Sequence, residues 1–243
     1  MKKIRLDQLL LNNKLSESRE KAQRLIRAGY VKVNDHIITK PSSTFPHDVS
    51  IELKKKEQYV SRGGYKLEKA LKTFDINLNN LIALDIGSST GGFTDCILQN
   101  GAKSVFAVDC GSNQLHYNLR QDPRVVVMEQ TNARYLNSNL IPVAVDFCSI
   151  DTSFISLTKI LPPLKNIIKP EGIIVSLIKP QFEAGKEHVE KGGVVRDKNV
   201  HHAVIEKIKN FGVGTLGLRW MDYCNSPLKG PAGNIEFLAY WKI

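Results

Sequence analysis

A loop of small residues, GSSTGG at residues 87–92, is the stretch of this sequence best suited to holding a ligand. It follows an apolar run at residues 82–84 and Asp85, and a helix is predicted to begin near Gly92 or Phe93. Because these loop residues have almost no side-chain bulk, a ligand can approach the backbone amides at the helix start. The spacing differs from G-x-G-x-x-G, which disfavours a nicotinamide-dependent oxidoreductase. An ordinary strand-to-helix turn is the alternative for this stretch taken alone.

Charged residues recur at the ends of predicted strands and the starts of predicted helices: Lys66, Asp151, Lys179 and Glu236. In a doubly wound sheet such positions face one crevice beyond the carboxyl ends of the strands. Taken singly, each is more simply explained as a surface lysine or half of a surface ion pair. Their interest lies in the elements that would bring them together.

Those elements alternate along the chain. Lys66 opens an amphipathic helix, and further helices are predicted at 93–100, from 155 to 172 and at 200–211. Strands are predicted at 82–84, 104–108, 125–128, 143–150, 173–178, 215–222 and 235–241, and residues 185–199 are predicted to form a loop over the crevice. The pattern predicts an α/β fold, a Rossmann-like doubly wound sheet.

Asp109 ends the second of these strands. It comes about 20 residues after the small-residue loop, where nucleoside-binding folds place a carboxylate against ribose hydroxyls. An aspartate that merely begins a turn with Gly111 is an equally good reading of this position alone.

Composition points to a polyanionic partner. The formal net charge is +10, and more than half of the excess lies in the first quarter of the chain, which favours a nucleic acid over a membrane surface. The four cysteines form no close pair and the histidines have no ligand spacing, so neither a metal site nor a disulfide framework is expected. Without a signal peptide or a spanning apolar run, we expect a cytoplasmic protein.

The basic N-terminal region, residues 1–58, is predicted to be a separate module, joined by a linker at 59–65 to a domain at 66–243. Two helices, a hairpin around Asn34-Asp35 and a strand at 49–53 are expected in it. The run RLDQLLLNNKLSESREKAQRLIRAGYVKVNDHIITKPSSTF resembles the S-four RNA-binding fold. The resemblance implies contacts to the RNA backbone from basic side chains, for which we list Arg5, Arg19, Lys21, Arg24, Arg27 and Arg62.

The whole chain resembles the TlyA (hemolysin A) family, whose methyltransferase domain is FtsJ-like. The motifs that carry this resemblance are YVSRGGYKL, LDIGSSTGGFTD, VDCGSNQL, TNAR, DTSFIS, IKPQFEAGK and GNIEF. It implies a seven-stranded, mostly parallel class I methyltransferase sheet and an RNA ribose 2′-O-methyltransferase that uses S-adenosylmethionine. The tetrad implied is Lys66, Asp151, Lys179 and Glu236. In it Lys179 would orient or deprotonate the hydroxyl, while the two carboxylates would hold the lysines and the ribose.

The same resemblance assigns residues to the cofactor: Gly87, Ser89, Gly91, Gly92, Phe93 and Thr94 near its methionine and ribose, Asp109 on the ribose hydroxyls, and Asn132 and Ala133 near the adenine. Asp85 is expected to steady the loop or the cofactor's amino group. The sequence departs from the family pattern at Asn113, where glycine is frequent, and at Thr152, where an aliphatic residue is common.

The implied partner is ribosomal RNA or a ribosomal subunit. The chain ends seven residues after Glu236, and shorter members of the family are associated with a cytidine of the large-subunit RNA. A non-catalytic RNA-binding assembly factor and a membrane-active hemolysin are the alternatives, and the oligomeric state stays open. The presence of all four tetrad residues argues against the non-catalytic assembly factor. The lack of a spanning or strongly amphipathic segment argues against the hemolysin.

Overall fold

The structure, a computed structural model, describes residues 3–53 and 58–243. The chain forms two compact units that divide between Gln58 and Tyr59. They are called the small unit and the large unit below, and each contains its own cluster of buried apolar side chains.

The small unit contains short elements: β1 (Ile4–Arg5), α1 (Leu6–Asn12), α2 (Arg19–Arg27), β2 (Val31–Val33), β3 (His36–Ile37), β4 (Thr44–Phe45) and β5 (Ile51–Leu53). Strand β2 lies between β3 and β5, and β1 pairs with β4, all antiparallel. Leu6 and Leu10 of α1 pack with Ala22 and Ile26 of α2. The two predicted helices, the hairpin and the strand before Lys54 are present; the β1–β4 pair was not predicted, because two-residue strands carry no periodic signal.

A buried carboxylate organises one end of the small unit. Asp7 is fully buried and accepts hydrogen bonds from Arg5, from the Arg19 Nε at 3.1 Å and from the Gln23 amide at 2.9 Å. The Arg5 guanidinium beside it, with help from Gln23 and Arg19, holds the pKa of this carboxyl far below its usual range. The network fixes α1 against α2 and leaves the two arginine side chains about half exposed.

The large unit contains the remaining elements: α3 (Gly63–Thr73), β6 (Ile82–Ile86), α4 (Gly92–Gln99), β7 (Ser104–Val108), α5 (Tyr117–Arg120), β8 (Val125–Met128), β9 (Val145–Ile150), α6 (Leu161–Leu164), β10 (Ile168–Ile178), α7 (Pro180–Glu183), α8 (Lys198–Asn210), β11 (Arg219–Asn225) and β12 (Phe237–Lys242).

These strands form one seven-stranded sheet in the order β11-β12-β10-β9-β6-β7-β8. Five neighbouring strands run parallel, while β12 is antiparallel to both β10 and β11. Alternate residues of β6 point to opposite faces of the sheet. Leu84 and Ile86 pack towards α8, whereas Ala83 packs towards α3 and α4. The predicted seven-stranded, mostly parallel sheet is confirmed.

The stretch at 59–65 is not a linker in the structure. Tyr59 is buried in the core of the large unit, and Gly63 and Gly64 form the first turn of α3. A β-carbon on Gly64 would lie 2.2 Å from the Tyr59 ring, so this glycine is required by close packing. The prediction failed because adjacent glycines are typical both of flexible joints and of tight contacts.

In two other regions an element begins at least four residues from its predicted start. The helix expected before Gly172 is only the short α6, and β10 begins earlier, at Ile168, with an irregularity before Ile173. The strand expected from Thr215 begins at Arg219, because a π-helix at Phe211–Thr215 continues from α8. Gly212 of that π-helix packs on the Trp241 ring, and tertiary packing of this kind leaves no local signal in the sequence.

We expect Asp7→Asn to destabilise the small unit by about 2 kcal/mol, because it removes charge-assisted hydrogen bonds to a buried group. Since the folded-state pKa of Asp7 is depressed, its contribution is full above the unfolded pKa and is lost as the pH falls below it. Hydrogen exchange of amides 6–33 in the full chain measures the change. Asp48→Asn, at an exposed acid of the same unit, is the control; equal effects of the two substitutions would contradict the account.

Candidate active site

The sheet topology places the four predicted charged residues at one edge. Asp151 follows β9, Lys179 follows the neighbouring parallel strand β10, and Glu236 precedes β12. Because β12 runs antiparallel and its Phe237 pairs with Ile178, the start of β12 lies beside the end of β10. The reversal of one strand therefore brings Glu236 to the carboxyl edge of the parallel strands.

The side chains of these four residues form a continuous chain of opposite charges. The Lys66 Nζ lies 2.6 Å from the Glu236 Oε2 and 4.0 Å from the Asp151 Oδ2, and the Lys179 Nζ lies 2.6 Å from the Asp151 Oδ1. Glu236 is 1% exposed and Lys179 is 8% exposed. Each lysine therefore has a carboxylate partner in a site largely shielded from water, where such pairing offsets the cost of burying charge.

Glycines bring Lys66 to this edge. Lys66 lies in the first turn of α3, which packs beside α4. A β-carbon on Gly92 would lie 2.8 Å from the Gly64 nitrogen and 3.1 Å from the Gly63 α-carbon. Only glycine at position 92 permits this approach of the two helix starts, and the approach carries Lys66 towards Glu236.

The small-residue loop passes directly beneath Asp151. Gly87 has a φ of +82°, and a β-carbon there would lie 2.4 Å from the Asp151 carbonyl oxygen. The Asp151 N–H donates to the Ile86 carbonyl at 2.9 Å. The loop after β6 and the loop after β9 are thus in backbone contact, which fixes Asp151 relative to the ligand-binding loop.

Asp85 and Thr94 hold the loop from behind. The Asp85 carboxylate is fully buried and accepts from the Thr94 Oγ1 at 2.6 Å and from the Ser149 Oγ at 2.8 Å. Burial raises the pKa of Asp85 to about 6, although the two hydroxyl donors oppose the shift. Neither Asp85 nor Thr94 is among the residues that line the cavities at this edge. Their positions fit a structural role for both side chains.

Two cavities meet at this edge and share Gly87, Ser89 and Asp151. The first, of about 600 Å³, contains the predicted adenosine residues Asp109, Asn132 and Ala133 in its wall. The second, of about 530 Å³, is lined by Lys66, loop residues, Gly92 and Phe93, and by Arg62 and residues 228–231 and 233. The structure thus brings together most of the predicted cofactor residues; Gly91 is buried at the start of α4 and lines neither cavity.

Asp109 shapes the first cavity through backbone contacts. Its carboxylate accepts from the Ser89 N–H at 2.8 Å and from the Gly111 N–H at 2.7 Å. The loop that follows is held by Glu129, which accepts from the amides of Asn113 and Gln114. Asn113 has a φ of +54°, a conformation that asparagine tolerates better than most residues, so the departure from glycine is compatible with the loop.

The structure adds two residues beside Lys179 that sequence reasoning missed. The Lys179 Nζ donates to the Ser153 Oγ at 3.1 Å, so this lysine has a second oxygen partner. Phe154 is 90% exposed, has a φ of +62° and packs its ring 5.1 Å from the ring of Phe182. The only signal in the sequence was their place in DTSFIS, directly after Asp151.

The predicted RNA-binding side chains fall into separate groups. Arg24 and Arg27 of α2 are exposed, and Lys21 pairs with Glu17 at 2.9 Å. Arg5 and Arg19 are engaged with Asp7 but remain about half exposed. Arg62 belongs to the large unit and lines the second cavity.

Within residues 3–53 and 58–243, no three histidine, cysteine, aspartate or glutamate side chains are grouped to hold a metal ion. No helix in the described part of the chain has the length and apolarity to cross a bilayer.

Comparison with known proteins identifies the family. Residues 59–242 match the FtsJ-like methyltransferase family, and residues 4–47 match the S4 domain. The chain belongs to the FtsJ-like methyltransferases. Its relatives include proteins named TlyA and hemolysin A, so both resemblances drawn from the sequence are confirmed.

Three relatives illustrate the similarity. YqxC of Bacillus subtilis is 49% identical over 98% of this chain and 85% of its own length. The 16S/23S rRNA (cytidine-2′-O)-methyltransferase TlyA of Mycobacterium tuberculosis is 39% identical over 98% of this chain and 90% of its own. A solved structure from Streptococcus thermophilus is 46% identical, with a TM-score of 0.75 over 100% of this chain and 89% of that one.

Gly87→Ala is expected to destabilise the large unit of this FtsJ-like chain by more than about 2 kcal/mol, because the new β-carbon meets the Asp151 carbonyl and the φ is left-handed. Thermal unfolding measures the loss. Gly214→Ala, where no atom lies within 4 Å of the added carbon, is the matched control and should change stability little. Two equal losses would show that the loop contact is unimportant.

Proposed function

We propose that this protein methylates the 2′-hydroxyl of a cytidine ribose in ribosomal RNA, using S-adenosylmethionine, and that it acts in the cytoplasm. The RNA of the large subunit is the first candidate substrate and that of the small subunit is the second. The family membership and the relatives named for rRNA cytidine-2′-O-methylation support the reaction. The observation that carries the proposal is the pair of ion pairs, Lys66 with Glu236 and Lys179 with Asp151, beside two cavities. Asp151 lines both cavities and Lys66 lines the second.

The cavities fit the cofactor. The first could receive adenosine, with Asp109 and Asn132 in its wall, and the second could receive the methionine end. The first helical bond of α4 runs from the Asp95 N–H to the Gly91 carbonyl, which leaves the amides of Gly92 and Phe93 outside the bonding of the helix. Such amides at a helix start suit the cofactor carboxylate. When bound, the cofactor would supply an activated methyl group on a sulfonium sulfur.

The tetrad then has to orient the hydroxyl and accept its proton. The Lys179 ammonium group has three N–H donors, and Asp151 and Ser153 engage two of them. The third is free to hold the ribose oxygen. Because an ammonium group with three N–H bonds cannot accept a proton, the Asp151 carboxylate is the proton acceptor of the pair. Lys66, held by Glu236 at 2.6 Å, lies 4.0 Å from the Asp151 carboxylate and completes the chain of opposite charges.

The surroundings of Lys179 also suit an RNA substrate. The exposed Phe154 ring offers a surface on which an unstacked base could lie. It packs against Phe182, whose ring centre lies 5.9 Å from the Lys179 Nζ. In the small unit, the exposed Arg24 and Arg27 on α2 suit the phosphate backbone, and the S4 match supports an RNA-binding role for this unit.

Lys179→Ala should abolish methyl transfer to ribosomal RNA while leaving cofactor affinity within about threefold, because Lys179 is absent from the walls of both cavities. Transfer of labelled methyl groups and isothermal titration with the cofactor measure the two effects, and mapping of 2′-O-methyl positions identifies the nucleotide. Lys103→Ala, an exposed lysine at the opposite edge of the sheet, is the control. Undiminished transfer by the Lys179 variant would refute the mechanism.

Substituting both Arg24 and Arg27 with Ala should lower the magnitude of the slope of log affinity against log salt by about 1.5, because each lost phosphate contact removes about 0.7–0.9. Binding of ribosomal RNA at several salt concentrations gives the slope. The paired substitution of Lys103 and Lys165, which are exposed in the large unit, removes the same charge elsewhere. If that control changes the slope equally, α2 has no special role.

A further inference from the structure

Glu183 is a buried acidic side chain outside the four charged residues of the site. It ends α7, four residues after Lys179, and is 4% exposed. Its Oε2 accepts from the Ser156 Oγ at 2.6 Å, and its Oε1 accepts from the Leu157 N–H at 2.7 Å. One carboxylate therefore joins the segment that carries Lys179 to the loop that carries Asp151.

That loop has two anchors. At its start, the Asp151 N–H is bonded to the Ile86 carbonyl of β6. At its end, Ser156 and Leu157 are bonded to Glu183. Between the anchors lie Ser153 and Phe154, both exposed. Among the described residues, the two bonds to Glu183 are the side-chain hydrogen bonds that join the end of this loop to α7.

The main chain of Glu183 is held from the other side. The Lys207 Nζ of α8 donates to the Glu183 main-chain carbonyl at 2.7 Å. Lys207 also lines a third cavity with Glu183, where Glu187, His188 and Asp197 are the other titratable groups. Glu183 is thus held to α8 through its backbone, and its side chain is left to hold the loop.

We propose that Glu183 is a positioning residue, which anchors the Asp151–Ser156 loop to α7 and thereby sets the contacts of Lys179 with Asp151 and Ser153. The inference rests on the proposed methyl transfer. A misplacement of about 1 Å in an aligned site can cost about a hundredfold in rate, so loosening this anchor should reduce turnover without removing any group that touches the substrate.

Three variants test the role. Glu183→Ala removes both hydrogen bonds. Glu183→Gln can keep both, because its oxygen accepts from Leu157 and its amide donates to the Ser156 Oγ, whose own proton can turn to Thr158, 2.9 Å away. Ser156→Ala removes one of the two bonds to Glu183, together with the contacts of the Ser156 Oγ to Thr158, and leaves the buried carboxylate in place. Glu187→Ala, at an exposed acid that lines the third cavity, is the control.

We expect Glu183→Ala to lower kcat at least about tenfold with cofactor affinity within about twofold, Glu183→Gln to stay within about threefold of the wild type, and Ser156→Ala to fall between them. The Glu187 variant should match the wild type. A folded Ala variant with unchanged kcat, or a Gln variant as slow as the Ala variant, would overturn the proposal. If Glu183→Ala fails to fold, Ser156→Ala decides: an unchanged kcat in it refutes the anchor.

Hydrogen exchange separates this inference from the proposed function. Amides 152–158 of the full chain should exchange at least about tenfold faster in the Ala variant than in the wild type, but not in the Gln variant. Unchanged exchange in the Ala variant would refute the anchor whatever the activity. A wild-type protein that transfers no methyl group to RNA, but shows the expected exchange pattern, would instead refute the proposed function and leave the anchor standing.

Discussion

Two lysine ammonium groups lie largely out of water at the carboxyl edge of the sheet, and each is 2.6 Å from a carboxylate. Buried ion pairs of this kind add little net stability, but removing one partner costs about 3–5 kcal/mol. The fold must therefore deliver all four charged side chains together or none. This requirement explains the reversed strand β12, which places Glu236, and the glycine contacts between α3 and α4, which place Lys66.

Around these ion pairs, the loops are held by buried polar side chains that do not line the site. Asp85 holds the ligand-binding loop through Thr94, and Glu183 holds the loop after β9 through Ser156. Asn234, which lies two residues before Glu236, holds the segment at 193–195. Its Oδ1 accepts from the Val195 N–H and its Nδ2 donates to the Gly193 carbonyl. Because satisfied buried polar groups are specific in direction, they fix loop geometry where apolar packing alone would allow several arrangements.

The small unit is also held together by a buried polar side chain. Its core is small, and Asp7 draws side chains from both helices into one network. The arginines bonded to Asp7 keep about half of their surface exposed. A buried acid that pairs with half-exposed arginines orders cationic groups before any partner binds, which lowers the entropy lost on binding.

Local pattern and motif order in the sequence determined much of this protein. The strands before Asp85 and Asp109 and the loop GSSTGG follow from short stretches whose chemistry does not depend on distant parts of the chain. The tetrad residues were implied by the motifs that carry the family resemblance. Tertiary structure decided the rest. Lys66 and Glu236 are 170 residues apart in the chain, and only the antiparallel pairing of β12 shows that they meet. The adjacent glycines at 63 and 64 predicted a linker, but in the structure the Tyr59 ring packs directly on Gly64. For Asp85 the sequence left two roles open, holding the loop or binding the cofactor's amino group, and its burial and partners favour the first. The role of Glu183 depends on partners that only the structure shows, because a carboxylate has the same sequence signal whether it binds a ligand or holds a loop.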